Sequence, residues 1–564
     1  MDTTNHSAQG IPSESQNRHE SNNPTTTIDA DKTKLHKFLL NRAITLSSAE
    51  DQEEDMRVEL QYATKRAYLY NKLANQEEEI RKLVASHCGL ASLDLVQIPD
   101  MIDQENNLVW RHGSFNVCIP IHINNSGRSP PAKMAFRVPL PYKIGEESFP
   151  GNAEEKVRCE AATYIWINEN CPDIPIPHLQ GFGVPGSLSF FEPSFVPLWQ
   201  RIKSDAWRFF RRLCGGLDGN PRFCKYIPRR RTTFFEYGYI LIDWIESDDS
   251  QMLSHTFNKP HTEAQTQNLY QGMSRIMISL AKIPQSRIGS WTIDNVGQIS
   301  LSNRPMFLHL HQLENWTIPT DIPRNLTYTS ADSLYLDLLA GHDNRFQYQQ
   351  NSVSSETDAR AQARDLVLMR ALLHKFTSRH LRDGPFVMQL TDMYISNIFV
   401  DKDWNIKYVI DLEWACSLPL EELLPPSWLT DKGVDQIKGP EYEQFKTCYE
   451  RFTDIFEQEE GALLCHNGHH YSRATSMKTA LEEGRYWYLN ALQTPKGLFN
   501  LFRRHLKPFY DKVPKESLSA AVSPFWTPGM TSFVDSKLKE LSQYRQEVRN
   551  IFNSEKSGKP HFSL

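Results

Sequence analysis

Met388-Gln389-Leu390-Thr391-Asp392-Met393-Tyr394-Ile395-Ser396-Asn397-Ile398-Phe399-Val400-Asp401, followed two residues later by Trp404-Asn405-Ile406-Lys407-Tyr408-Val409-Ile410-Asp411-Leu412-Glu413-Trp414, is the stretch on which the fold turns. Asp392 falls in a loop five residues before Asn397, where an apolar run opens a strand. A tight turn over 401–405 reverses the chain into a second strand ending at Asp411. Three oxygen-bearing side chains are thereby expected near one end of a hairpin. Hard oxygen donors with room for water suit Mg²⁺ and bridged phosphates, and the remaining carboxylate is free to receive a proton.

Upstream residues provide an independent check. Arg111-His112-Gly113-Ser114-Phe115-Asn116-Val117 reads as strand, turn and strand, with Gly113 and Ser114 able to lay backbone N–H groups over phosphates. In Met134-Ala135-Phe136-Arg137-Val138, Ala135 and Arg137 share one face of a strand. Asn152 is expected to open a helix with Glu155 at its third position. Val157, Ala161, Tyr164 and Ile165 give that helix an apolar face, and Glu160 on it is placed to pair with Arg137. Asp243-Trp244-Ile245-Glu246 follows the strand Tyr239-Ile240-Leu241-Ile242 as a hinge offering backbone groups to an adenine edge. The spacing Asp392, Asn397, Asp411 is that of kinase catalytic and metal loops.

With these parts in place, the chain resembles the aminoglycoside phosphotransferase and choline kinase branch of the kinase-like superfamily, and in particular fungal proteins carrying that domain. The resemblance covers roughly 107–435 and rests on Phe136-Arg137-Val138-Pro139-Leu140-Pro141, Ile174-Pro175-Ile176-Pro177 and Asn397-Ile398-Phe399-Val400-Asp401. It implies an α+β, bilobal protein-kinase-like fold with a small, five-stranded β-rich N-lobe and a large, mostly helical C-lobe. ATP and Mg²⁺ would lie between the lobes. It also implies Asp392 as the catalytic aspartate, Asn397 and Asp411 as metal ligands, and Glu413 as the second acid of a D-x-E. Gly113, Ser114, Ala135, Arg137, Glu160, Asp243 and Ile245 would bind the nucleotide. The chain departs from the pattern in three places. The histidine of H-x-D is Leu390, the usual lysine is Arg137, a planar fork in place of a compact ammonium, and the phosphate loop has only Gly113.

Two functional readings of different class follow. The first is an ATP- and Mg-dependent phosphotransferase acting on a hydroxyl of a small molecule. The second is a catalytically weak kinase-like module that binds nucleotide or partners. Glu413, Glu421, Glu422, Asp431 and Asp435 would suit a cationic acceptor, although a solvated acidic face is the preferred account of them.

The flanks define the rest of the organisation. Residues 1–33 are polar and read as a disordered tail, and 34–106 as a helical brace. That brace is expected to contain one long helix from about 49 to His87, with Ser48 and Asp51 at its start and Met56, Leu60, Ala63, Ala67 and Tyr70 on its apolar face. The N-lobe is assigned to 107–246, the C-lobe to 247–435 and a helical extension, including a helix from Met530 to about Phe552, to 436–564.

The 564 residues carry 62 Lys+Arg against 68 Asp+Glu, a net charge of −6, which excludes a protein that coats nucleic acid through its overall charge. No apolar run is long enough to span a bilayer, and the first thirty residues lack a signal core, so a cytoplasmic location is expected. Nine cysteines without a C-x-x-C pair fit a reduced chain.

One region is strongly basic. Residues 201–231 interleave Arg201, Lys203, Arg208, Arg211, Arg212, Arg222, Lys225 and Arg229 to Arg231 with Trp207, Phe209, Phe210, Phe223 and Tyr226. Such an insert suits nucleic acid or anionic lipid. The favoured account is a solvated insert that packs its aromatics on the N-lobe. Gly181-Phe182-Gly183-Val184-Pro185-Gly186 matches G-x-G-x-x-G but lacks a following helix, so it reads as a loop between strands. Cys465-His466-Asn467-Gly468-His469-His470 reads as a polar loop, and His309 and His311 as structural residues on a short strand-like run.

Overall fold

The computed structural model describes residues 36–103, 105, 107–124, 132–186, 188–214, 222–245, 249–464, 472–510 and 515–554. The expected tail over 1–33, Glu246 and the 465–470 motif lie outside these residues. Helices and sheets are mixed, so the chain is α+β. It forms two compact units. One comprises the described parts of Met1–Leu73, His342–Leu368 and Lys512–Leu564; the other comprises those of Ala74–Gly341 and Met369–Asp511. The boundary expected at 435/436 is not the end of either unit. No helix among the described residues is long and apolar enough to cross a membrane.

The first unit corrects the expectation of a single long N-terminal helix. Helices span Leu46–Glu50, Met56–Glu59, Tyr62–Ala74 and Glu77–His87, the last of which belongs to the second unit. The breaks have local causes. Thr45 accepts from the Ser48 N–H at 3.1 Å and caps the first helix. Asp55 accepts from the Arg57 N–H at 3.0 Å and caps the second. Side chains that satisfy orphan amides start new helices at these points instead of continuing an old one. Ile44, Leu46, Ala49 and Met56 then pack on Leu541, Tyr544, Val548 and Phe552 of the Met530–Asn553 helix. The Tyr544 hydroxyl accepts from the Met56 N–H at 3.0 Å, and Arg57 reaches Glu547 at 2.7 Å. Within this unit, the early chain therefore braces the late helix.

The second unit is built on an eight-stranded antiparallel sheet, not the five strands implied by resemblance. In order across the sheet run Ile227–Arg230, Leu188–Phe191, Leu179–Gly183, Tyr239–Asp243, Lys133–Pro139, Asn116–Ile123 and Val96–Gln97, with Arg111–His112 also on Asn116–Ile123. The additional strands come from the basic insert and from two-residue segments at the far edge. The G-x-G-x-x-G match is expected from sequence to be a loop between strands; instead Gly181 and Gly183 lie in the strand Leu179–Gly183, paired with Phe191 and Ser189, and only Gly186 falls in the turn that follows.

The helix Asn152–Asn170 is almost wholly buried. Gly151, at φ 99°, is its N-cap, whereas the Asn152 side chain turns inward to the Ile144 carbonyl and Glu314, each at 2.7 Å. His309 and His311 lie on a helix, Leu308–Asn315, not on a strand. One apolar core runs from Ile240 and Ile242 of the sheet through Tyr164, Ile165 and Trp166 to Met388, Val409, Leu412 and Ala415. The helix, the sheet and the hairpin of the quoted stretch thus share a single packed interior, which holds their polar side chains in fixed relation.

Candidate functional site

The quoted stretch folds as a strand Phe386–Leu390, a short 3₁₀ turn Ile395–Asn397, a strand Ile398–Val400, a turn and a strand Ile406–Val409. Asp401 closes the turn by accepting from the N–H groups of Asp403 and Asn405, both at 2.9 Å. Asn397 anchors the loop: its Nδ2 donates to the Asp392 carbonyl at 2.8 Å, and its own carbonyl accepts from the Ile410 N–H at 2.9 Å. That second bond places Asn397 beside Asp411. Asp411 has φ 64°, a left-handed conformation that Asp tolerates better than most residues. Thr391, adjacent to Asp392, donates its N–H to the Trp414 carbonyl at 2.9 Å, tying the two loops together.

Arg137 and Glu160 meet at 2.9 Å, as the strand and helix positions anticipated. The guanidinium does more than that. Its Nη2 also contacts Asp411 and lies 3.4 Å from Glu413. Two further partners were missed from sequence. Lys156, fully buried, places its Nζ 2.5 Å from Glu413 Oε2 and 2.7 Å from Asn116 Oδ1. Lys156 precedes Glu160 by four residues, which places both on one face of the helix, but its contact with Glu413 is not visible in the local sequence. Asn116 follows the Gly113–Ser114 turn, and the Gly113 N–H donates to the Asn116 carbonyl at 2.8 Å. A side chain at Gly113 would meet that oxygen at 3.2 Å, so the glycine permits the close turn. Phe115 meets Trp414 edge-on at 5.4 Å, bringing the turn against the Asp411–Glu413 loop.

The first turn of the helix is held by a second buried ionic network. Arg304 donates to Glu155 at 2.8 Å and to Glu314 at 2.7 Å. Burial pushes the Glu155 carboxyl up, but His311 and Arg304 outweigh it and hold it below the usual range.

Electrostatics separate the three acids. Burial pushes Asp411 up, yet Arg137 and Lys156 hold it below the usual carboxylate range. Burial, followed by the charge of Asp411, pushes Glu413 up to about 8. Burial and the same Asp411 charge raise Asp392 to about 7. Asp392 also borders a cavity of about 430 Å³ whose walls include His309, Gln312, Tyr394, Trp428 and Gln493.

The other expected positions are less directly placed. Ala135 packs into the core on the same face as Arg137. At the expected hinge, the N–H groups of Asp243 and Trp244 donate to the His178 and Lys133 carbonyls at 3.0 and 3.3 Å, so neither is open to a nucleobase. Ile245 is half-buried beyond them. Hard oxygen donors do converge: carboxylate oxygens of Glu160, Asp411 and Glu413 all lie within 4.8 Å of one another, and Glu413 Oε1 is buried without a hydrogen-bond partner among the described residues. Arg137 and Lys156 already occupy part of this donor set: Arg137 meets Glu160 and Asp411, and Lys156 meets Glu413.

No family model and no curated protein matches the chain. Among solved structures it is similar to a "Macrolide 2'-phosphotransferase type I", at 10% identity and a TM-score of 0.28 over 72% of this chain and 89% of that one. A likeness at that level carries no inference about chemistry.

Proposed function

We propose that the second unit is an ATP- and Mg²⁺-dependent phosphotransferase of bilobal, kinase-like design acting on a hydroxyl of a small molecule. The observation that supports this most is the juxtaposition of two differently tuned sets of side chains. On one side Arg137, Lys156, Glu160, Asp411 and Glu413 form a charged cluster; on the other, Asp392, whose carbonyl accepts from Asn397, borders a cavity of about 430 Å³. In this reading Asn397 and Asp411 hold Mg²⁺, which would neutralise phosphate charge.

Arg137, fixed by Glu160, orients Asp411 and supplies positive charge next to the phosphates. Lys156 fixes Glu413 and, through Asn116, the turn at Gly113-Ser114 that would cover them. Asp392 points its carboxyl at the acceptor. As the acceptor oxygen bonds to phosphorus and the bridging oxygen departs with the nucleoside diphosphate, Asp392 takes the hydroxyl proton. A carboxyl that titrates at about 7 is well matched to that exchange near neutral pH. Such sites act mainly by positioning and charge stabilisation, so Leu390 in place of a histidine leaves the parts named here intact.

The test is thermal unfolding of the full chain with Mg·ATP, with ATP plus chelator, and with magnesium alone. Binding to the folded state alone stabilises by about 2.7 kcal/mol at a hundredfold excess over Kd. A shift confined to Mg·ATP supports the reading; no shift in any condition rejects it, together with the nucleotide-binding module as an alternative.

A further inference from the structure

The basic insert is expected from sequence to pack its aromatics on the N-lobe; Tyr226 does so, but most large apolar residues of the helix Leu198–Cys214 do not. Apart from Trp207, its described large apolar side chains face solvent. Leu198, Trp199, Ile202, Phe209 and Phe210 are 67, 65, 60, 59 and 63% exposed. At 100° per residue these five fall within one arc of the helix, together with Ala206. The opposite side is the attached one. Arg208 donates to the Tyr226 carbonyl at 2.7 Å, and Trp207 meets Phe223 edge-on at 5.8 Å. An amphipathic helix in a globular unit ordinarily turns its apolar arc inward. Here the polar side is tethered and the apolar arc faces solvent.

Charge indicates what covers it. Over 198–214 the helix carries Arg201, Lys203, Arg208, Arg211 and Arg212 against Asp205 alone. Arg201, Lys203 and Arg211 are exposed, and Lys203 lies just beyond the apolar arc, where its stem can lie along apolar surface and its ammonium reach out. Among nearby residues Arg230 is also exposed. By contrast Arg231 is buried and donates to the Phe235 and Tyr237 carbonyls at 2.8 and 3.1 Å, so it belongs to the fold and not to this surface.

A contiguous Leu/Ile/Phe/Trp ridge with Lys203 at one margin and Arg201 beyond Asp205 at the other is the pattern of a helix lying in the plane of a lipid interface. Single-stranded nucleic acid would instead call for aromatics alternating with cations along a groove. We propose that the Leu198–Cys214 helix is an interfacial anchor that lays its apolar arc among the acyl chains of a membrane bearing anionic headgroups. At 17 residues it is about 25 Å long, and it lies on the bilayer without crossing it. This proposal is independent of the phosphotransferase reading.

The experiment is vesicle flotation of the full chain with phosphatidylcholine vesicles, with and without phosphatidylserine, at low and high salt. It includes Ile202→Glu/Phe209→Glu and Arg201→Gln/Lys203→Gln variants. These positions are exposed, so thermal melts of the variants should match the parent and exclude misfolding. Expected is binding to phosphatidylserine vesicles that weakens with salt, falls at least about tenfold in the apolar double variant, and falls less in the charge variant. No binding to phosphatidylserine vesicles overturns the proposal, as does binding that the apolar double variant leaves unchanged. So does loss, in that variant, of dimerisation or of binding to an RNA oligonucleotide when the parent binds no vesicles.

Discussion

Arg137 and Glu160 stand 2.9 Å apart, one on a central strand and the other on a helix that begins thirteen residues after that strand ends, and the same guanidinium reaches Asp411. One side chain thereby couples the sheet, the helix and the loop after the hairpin. Removing it leaves Glu160 and Glu413 buried with Lys156 as the cation in contact with them, and Asp411 without its partner. Arg137→Met is expected to destabilise the chain by about 3–5 kcal/mol, the scale for leaving buried charge uncompensated. Urea unfolding of the variant measures this, and a loss below about 1 kcal/mol would show that the guanidinium is not the coupling element.

Lys156 and Glu413 form a second pair, with Nζ and Oε2 at 2.5 Å and both side chains out of solvent. Lys156→Met alone and Glu413→Gln alone should each destabilise, while the double variant should cost less than their sum. A coupling energy of about 1–3 kcal/mol is expected for residues in direct contact. Additive losses would separate the two side chains energetically despite their distance.

His87 offers a pH test remote from the site. Its ring stacks on Phe191 at 4.2 Å and its Nε2 lies 2.8 Å from the Tyr239 hydroxyl. Burial, helped by Arg231 and Arg229, depresses it to about 3. In the unfolded chain a histidine titrates near 6.5, so between about pH 6.5 and 3 the unfolded state binds a proton that the folded state refuses. Stability should therefore fall as pH drops through that window. In His87→Gln the parent's fall in melting temperature between pH 7 and pH 5 should become shallower; an unchanged slope would place the acid sensitivity elsewhere.

Gly181 tests the account of the G-x-G-x-x-G match. A side chain there would come within 2.3 Å of His87 Nδ1 and 2.5 Å of its Cε1. The glycine admits the helix Glu77–His87 against the sheet, a packing role without phosphate. Gly181→Ala should destabilise by about 1–3 kcal/mol through overpacking and leave nucleotide binding unchanged in the folded fraction. Loss of nucleotide binding without loss of stability would reverse that assignment.

Much of the site was legible because its signals are local. The run Ile398-Phe399-Val400, the turn at Asp401 and the following Ile406 to Val409 encode a hairpin in consecutive residues. Arg137 and Glu160 were readable from a strand face and a helix face. Lys156 and Asn116 were not, because what identifies them is a shared partner, Glu413, more than 250 residues away in sequence. The broken N-terminal helix was misread for a related reason: Asp55 looks like one more charged residue on a helix face until its carboxylate is seen capping the next helix. The expectation that the insert packs its aromatics on the N-lobe holds for Tyr226 but not for the helix Leu198–Cys214, because interleaved aromatics and cations do not say which side of the segment is attached. Only the tether from Arg208 to the Tyr226 carbonyl shows that the apolar arc points away.

The most direct test of the phosphotransferase reading is calorimetric titration of Mg·ATP into the parent chain, Asp411→Ala and Asp392→Asn. Asp411 is assigned to holding the metal and Asp392 to receiving the acceptor proton, so the two substitutions should act on different steps. Expected are magnesium-dependent binding in the parent, near-parental binding without phosphotransfer in Asp392→Asn, and loss of magnesium-dependent binding in Asp411→Ala. Absence of binding by the parent at millimolar nucleotide, or equal binding by the parent and Asp411→Ala, would contradict the phosphotransferase reading.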